Sequence, residues 1–247
     1  MTALPADLDA ALVELAGRRP VLVASDYDGV LAPLVGDPSA AVLLPGMAEA
    51  LARVAAADGV AVALVSGRGV ADLQTTSGLD GPYRWVGSHG AEFDGPLTAE
   101  LADRRDALAE LLAPVVAGTS GARLEVKPAS VAVHVRQVAD RDAAARLLVE
   151  VQALVDSSLT LKPGKEVLEV TVTDADKGTA LRRLIAELGP AATIYLGDDV
   201  TDEDGFRALG PDDVTVKIGE GPTDARYRVA DPAGALALLL RLAHLLG

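Results

Sequence analysis

The most constraining feature of this chain is an alternation: short runs of Val, Ile, Leu and Ala recur along it, with longer stretches of helical periodicity between them. The runs are Val21 to Ser25, Val60 to Val65, Arg84 to Gly87, Thr193 to Gly197 and Val214 to Ile218. A strand that is apolar on both faces must be buried between two layers, so the pattern predicts a parallel sheet covered by helices on both sides. The helices are expected over Pro45 to Ala57, Gly69 to Thr76, Lys177 to Leu188, Thr201 to Leu209 and Pro232 to Leu245. The fold class is therefore α/β, with a doubly wound, Rossmann-like core.

The middle of the chain breaks this rhythm. Ala122 to Val126 and Ser130 to Arg136 read as a hairpin turned at Lys127-Pro128-Ala129, and a helix follows from Asp140 to Val155. Leu159 to Lys162 and Glu166 to Val172 then read as two strands joined at Pro163-Gly164. That is a compact α+β insert, placed at 96–173, which leaves a discontinuous core made of 1–95 and 174–247. A chain of 247 residues is long enough to support both.

Composition removes several functions. The formal net charge of -14 repels nucleic-acid phosphate and anionic lipid, and aromatic residues at 3% cannot build a base-stacking platform. The absence of cysteine excludes disulfides, thiol catalysis and Cys-ligated metals, and makes a reducing compartment the default. The opening segment MTALPADLDAALVELAGRRP carries its acids before its bases, the reverse of a signal peptide, and no apolar run approaches the roughly 20 residues of a membrane span. The expectation is a soluble, cytoplasmic protein with neither nucleic acid nor membrane as a partner.

The chemistry concentrates at the ends of the apolar runs. Asp26-Tyr27-Asp28-Gly29 follows the first, and open α/β sheets bind ligands at the carboxyl ends of their strands. Two acids this close repel unless a cation intervenes or one of them holds a proton. Gly197-Asp198-Asp199-Val200-Thr201-Asp202 follows another run. Helix capping accounts for Thr201 to Asp204 but not for Asp198 and Asp199. Hard oxygen ligands on two strand ends are what Mg²⁺ requires. Ser66-Gly67-Arg68 offers a hydroxyl, backbone N–H groups and a cation to an anion. Lys177 opens a helix, where its charge opposes the macrodipole unless something local uses it.

The order Asp-x-Asp, Ser, Lys, Asp-Asp on successive strand ends resembles the haloacid dehalogenase phosphatases. Within them DYDGVLAP, LVSGR, VGSHGAE, GKEVLEV, DKG and YLGDDVTDED resemble the trehalose-6-phosphate phosphatase family, whose cap is an α+β insert. The resemblance implies Asp26 as nucleophile, Asp28 as general acid and base, and Ser66 and Lys177 as holders of the phosphoryl oxygens. It implies Mg²⁺ on Asp26, the backbone carbonyl of Asp28 and Asp198, with Asp199 and Asp202 orienting waters and Lys177. It places Gly67, Arg68 and His89 with the substrate, His89 at the junction of core and cap, and Glu125, Lys127 and Glu169 of the cap against the disaccharide hydroxyls. The implied substrate is trehalose 6-phosphate, with a functional link to a trehalose-6-phosphate synthase. Val135 and Thr171-Val172 depart from the family's Tyr and Arg-Pro, which removes potential sugar contacts. Other capped sugar-phosphate phosphatases and phosphohexomutases share the Asp-x-Asp pair, and a non-catalytic regulatory or signalling domain is the alternative from another class.

Overall fold

A computed structural model describes residues 4–247; residues 1–3, which begin the opening segment read above, lie outside the described residues. In chain order the strands are β1 (Val21–Ser25), β2 (Val60–Val65), β3 (Tyr83–Gly87), β4 (Glu92–Phe93), β5 (Arg123–Lys127), β6 (Ser130–His134), β7 (Thr160–Gly164), β8 (Val167–Thr171), β9 (Ala192–Gly197), β10 (Val214–Ile218) and β11 (Tyr227–Val229). The helices are α1 (Ala6–Ala16), α2 (Met47–Ala55), α3 (Val70–Ser77), α4 (Ala99–Ala117), α5 (Arg141–Leu154), α6 (Lys177–Leu188), α7 (Asp202–Ala208) and α8 (Pro232–Leu246). The chain divides into two compact units, one running up to Gly95 and again from Ala175 to Gly247, the other Pro96–Asp174. Among the described residues no helix is long and apolar enough to cross a membrane.

The first unit holds a seven-stranded sheet in the order β11-β10-β9-β1-β2-β3-β4, parallel except for β4. Every residue of β1 is buried, and its side chains alternate between two cores. Val21 and Val23 pack with Leu8 and Leu12 of α1, Leu51 of α2 and Leu238 of α8. Leu22 and Ala24 pack with Leu181 and Leu184 of α6 and Phe206 of α7. This is the expected doubly wound arrangement. The chain steps from β1 to β2 and β3 on one side, then returns to β9, β10 and β11 on the other. The order reverses between β1 and β9, and such a reversal opens a crevice beyond the strands' carboxyl ends. Asp26 and Asp198 are the residues that immediately follow those two strands.

The second unit is a four-stranded antiparallel sheet in the order β5-β6-β8-β7, with α4 packed against β5, β6 and α5. Its register aligns Glu125, Ala132, Glu169 and Lys162 in one row across the four strands. Lys127, Ser130, Thr171 and Thr160 form a second row two residues along, and therefore on the same face. The alternate residues Val131, Val133, Leu168 and Val170 are buried on the opposite face.

Two helices lie outside the sequence expectation. α1 buries Leu8, Leu12 and Leu15, and the 19-residue α4 buries Leu108, Leu112 and Val116 at four-residue spacing behind its N-cap Thr98. The turn expected at Pro163-Gly164 sits instead at Lys165-Glu166, with Gly164 paired to Val167 and Pro163 to Leu168. The reason is that β7 is an edge strand, where a proline's missing N–H costs no ladder bond. Glu166 supplies the left-handed backbone of the turn, at φ 61°.

Candidate active site

The turn after β1 is built from backbone bonds: the carbonyl of Tyr27 accepts from Leu31 and Ala32, and Gly29 N–H donates to Ala32. Gly29 sits at φ 76°, and a Cβ there would come within 2.0 Å of Asp198 Oδ2. Only glycine lets the Asp198 carboxylate lie against this turn. Asp26, 5% exposed, accepts from Tyr27 N–H at 2.6 Å through Oδ1 and from Lys177 Nζ at 2.6 Å through Oδ2.

Lys177 is itself 2% exposed and donates also to Asp202 Oδ1 at 2.7 Å. It is the first residue of α6, which Asp176 caps by accepting from Thr179 N–H. The unfavourable placement against the helix dipole is thus offset by two carboxylates. Asp202 is completely buried: its Oδ1 also accepts from Tyr195 OH, and its Oδ2 accepts the backbone N–H groups of Asp198 and Asp199, each at 2.9 Å. Asp202 therefore holds both Lys177 and the loop that carries Asp198. Asp199 contributes its backbone N–H to this arrangement while its side chain is exposed, so the orientation of Lys177 falls to Asp26 and Asp202.

Carboxylate oxygens of Asp26, Asp198 and Asp202 lie within 4.8 Å of one another. Burial pushes Asp26 up to about 7, against the pull of Lys177, and pushes Asp198 up to about 6, with Asp202 adding to the rise. Burial also opposes the charge on Lys177, but Asp26 and Asp202 outweigh it and raise the ammonium above its ordinary value. Burial makes the charge on Asp26 and Asp198 costly, and with Asp202 their oxygens form an all-oxygen donor set whose negative charge a hard divalent cation would offset, so these residues fit such an ion. Lys217, buried in β10, donates to the backbone carbonyl of Asp198. The sequence reading missed it, although a lysine inside the buried run Val214–Ile218 had to find a partner.

Ser66 ends the strand β2 region fully buried, but its N–H is committed to Val86 O and its Oγ accepts from Arg68 N–H at 3.2 Å. The anion cradle expected here loses those two backbone donors and keeps the hydroxyl. His89, at φ 57°, donates its N–H to Ser66 O, and a Cβ on Gly67 would come within 2.6 Å of its ring. Arg68 faces Asp28: Nε donates to Oδ2 at 2.6 Å and Nη2 to Oδ1 at 2.8 Å.

In the second unit, Glu125, Lys127 and Glu169 share the polar face. Glu169 accepts from Lys127 Nζ at 2.8 Å and from Ser130 Oγ at 2.5 Å; burial raises its carboxyl, but those two bonds outweigh it and hold the group below its ordinary value. Glu125 pairs with His134 at 2.6 Å. A cleft of about 360 Å³ borders this face, lined by Arg123, His134, Arg136, Lys165 and Glu166 among others. Val135 and Val172 are buried, so the departures there sit in the packing, while Thr171 donates to Thr173 O.

The trehalose-phosphatase family model matches residues 24–233. The chain belongs to the trehalose-phosphatase family. The trehalose-phosphate phosphatase of Mycobacterium tuberculosis is 36% identical over 254 residues, covering 93% of this chain and 63% of that protein. The bifunctional trehalose-6-phosphate synthase/phosphatase of Thermoproteus tenax is 36% identical over 238 residues, covering 92% of this chain and 32% of that protein. The chain thus spans less than two thirds of the length of these relatives. Among solved structures, the trehalose-6-phosphate phosphatase of Aspergillus fumigatus superposes with a TM-score of 0.76 at 27% identity, over 96% of this chain and 97% of that one. A haloacid dehalogenase-like hydrolase from Bacteroides thetaiotaomicron, at 16% identity and a TM-score of 0.62, shares the fold over 89% of this chain and 98% of that one. Membership of the trehalose-phosphatase family thus agrees with the strand-end motifs that first pointed to it.

Proposed function

We propose that this chain hydrolyses trehalose 6-phosphate to trehalose and inorganic phosphate through an aspartyl-phosphate on Asp26, with Mg²⁺ as its cation. The observation that carries the reading is the buried Lys177, shared between Asp26 and Asp202 beside Asp198 at the crevice where the strand order reverses. Asp26 attacks phosphorus, and the bond from phosphorus to the sugar oxygen breaks. Asp28 gives that oxygen its proton, then takes one from the water that hydrolyses the aspartyl-phosphate. Lys177 and the Ser66 hydroxyl hold phosphoryl oxygens. Asp26, Asp198 and the backbone carbonyl of Asp28 would hold the cation. A bound Mg²⁺ supplies neutralisation of the charge on the transferring group.

The deciding experiment is phosphate release from trehalose 6-phosphate beside glucose 6-phosphate and sucrose 6-phosphate, with and without Mg²⁺. Preference for trehalose 6-phosphate and loss of turnover after EDTA are expected; full turnover without cation, or equal rates on all three, overturns the reading. The synthase and phosphatase joined in the T. tenax relative support a functional link to a trehalose-6-phosphate synthase. The cysteine-free sequence supports a cytoplasmic site of action.

The raised carboxyls predict how cation binding depends on pH. Asp26 and Asp198 titrate higher in the folded chain than in the unfolded one, so the cation-free fold binds more protons and loses stability as pH rises toward 7. A cation must displace those protons, so the rise in Tm on adding Mg²⁺ should be small near about pH 5.5 and large near about pH 8. An equal rise at both would mean that these carboxylates do not hold the ion.

The polar face of the second unit we assign to the sugar. Glu169→Ala or Lys127→Ala should lower kcat/KM for trehalose 6-phosphate by about 10²-fold and leave a small aryl phosphate within a few-fold, because hydroxyl-reading sites discriminate strongly. Equal losses on both substrates would take the sugar off this face.

A further inference from the structure

The geometry points to Arg68 as the positioning residue that fixes the carboxylate of Asp28, and not as a contact to the substrate's phosphate. The inference rests on the reading of Asp28 as the acid that protonates the leaving sugar. Asp28 lies within the tight turn after β1 and has a side chain 32% exposed, so burial alone does not set its direction. Arg68 does. Its Nε and Nη2 grip the two carboxylate oxygens at 2.6 and 2.8 Å in a bidentate fork, a geometry that fixes the plane of the carboxylate as well as its distance. The fork takes two of the roughly four lone-pair sites, and the proton that Asp28 gives is held on one of the others.

The fork is itself clamped from three directions. Nη2 donates its second N–H to Pro38 O at 2.6 Å, Nη1 donates to Asp72 Oδ2 at 3.0 Å, and the guanidinium carbon lies 5.6 Å from the centre of the Tyr27 ring. The side chain is only 8% exposed. With these bonds made, four of the five N–H groups of an arginine are spent within the protein. A phosphoryl oxygen is left one donor, which is a poor use of a guanidinium that could clamp it with two. Arg68 instead joins the turn after β1, the Pro38 segment and α3 around one carboxylate.

The test uses the leaving group as the probe. A sugar alkoxide departs only when protonated, whereas the nitrophenolate of p-nitrophenyl phosphate departs unaided. The ratio kcat/KM covers the steps through that departure, so the later hydrolysis of the aspartyl-phosphate does not enter it. Arg68→Lys keeps the charge and removes the fork. It should lower kcat/KM for trehalose 6-phosphate by at least about 10-fold and for p-nitrophenyl phosphate by less than about 3-fold, a fraction of what general acid catalysis supplies. The same substitution added to Asp28→Asn should lower neither value further.

Asp72→Asn loosens the clamp from an exposed position and serves if Arg68→Lys fails to fold; it should show a loss of the same kind, about 3-fold, on the sugar phosphate alone. Equal losses on both substrates in the Arg68 and Asp72 variants, with Asp28→Asn selective for the sugar phosphate, would overturn the inference and return Arg68 to the phosphate. If Asp28→Asn itself falls equally on both substrates, the acid role of Asp28 fails, and the inference fails with it.

Discussion

Asp26→Asn should abolish turnover, by more than about 10⁴-fold, the scale on which the loss of a covalent nucleophile depresses an enzyme. The substitution keeps size and shape. Asn Oδ1 can still accept from Tyr27 N–H, and the weaker attraction to Lys177 is offset because a carboxyl that burial had pushed up to about 7 no longer has to be ionised. The variant should therefore fold, with a melting transition close to that of the parent, and its inactivity should be chemical. Rapid quench with radiolabelled trehalose 6-phosphate should trap a labelled protein in the parent and none in the variant. A folded Asp26→Asn protein that turns over within a few-fold of the parent, or that still takes up label, would move the nucleophile to another residue.

The core was legible because its signals are local. An apolar run that ends in Asp26-Tyr27-Asp28-Gly29 states both a buried strand and what waits at its end, and Lys177 stood out because a lysine at a helix start is out of place electrostatically. Asp202 was half legible: capping explains an acid at the first position of α7, and only the fold turns its carboxylate back onto Lys177 and the Asp198 loop. Arg68 could be read as a cation near an anion, but which anion depends on Pro38, Asp72 and Tyr27 arriving around it from separate segments. α4 escaped because its apolar residues are diluted among charges and interrupted by Pro114, so its periodicity is weak. The turn at Lys165-Glu166 escaped because Pro163-Gly164 carries the stronger turn chemistry, which edge-strand geometry made unnecessary. Ser130 escaped as well, since its bond to Glu169 follows from a register that sequence alone does not display.

Lys177→Met should separate structure from chemistry in the same cluster. Methionine keeps the length and apolar stem of lysine and removes the ammonium alone. Asp26, Asp198 and Asp202 then face one another without their internal cation, and breaking a buried pair by removing one partner costs on the order of 3–5 kcal/mol when the remaining charge is uncompensated. The sign of the pH dependence follows. Asp26 and Asp198 already titrate above their ordinary range, and losing the Lys177 charge that pulls both down raises them further, so the folded variant binds more protons than the unfolded chain and loses stability as pH rises through that window. Its deficit against the parent should be large near about pH 8 and shrink near about pH 5.5, measured by urea unfolding at each. A divalent cation should restore much of the stability, because it replaces the missing positive charge among the same oxygens. It should not restore turnover, because no ammonium then holds the phosphoryl group against Asp26, and the loss of rate should stay above about 10²-fold. Recovery of both on adding cation would make Lys177 a counter-charge only; a variant as stable as the parent at high pH would mean that the carboxylates of this crevice do not repel as their geometry requires.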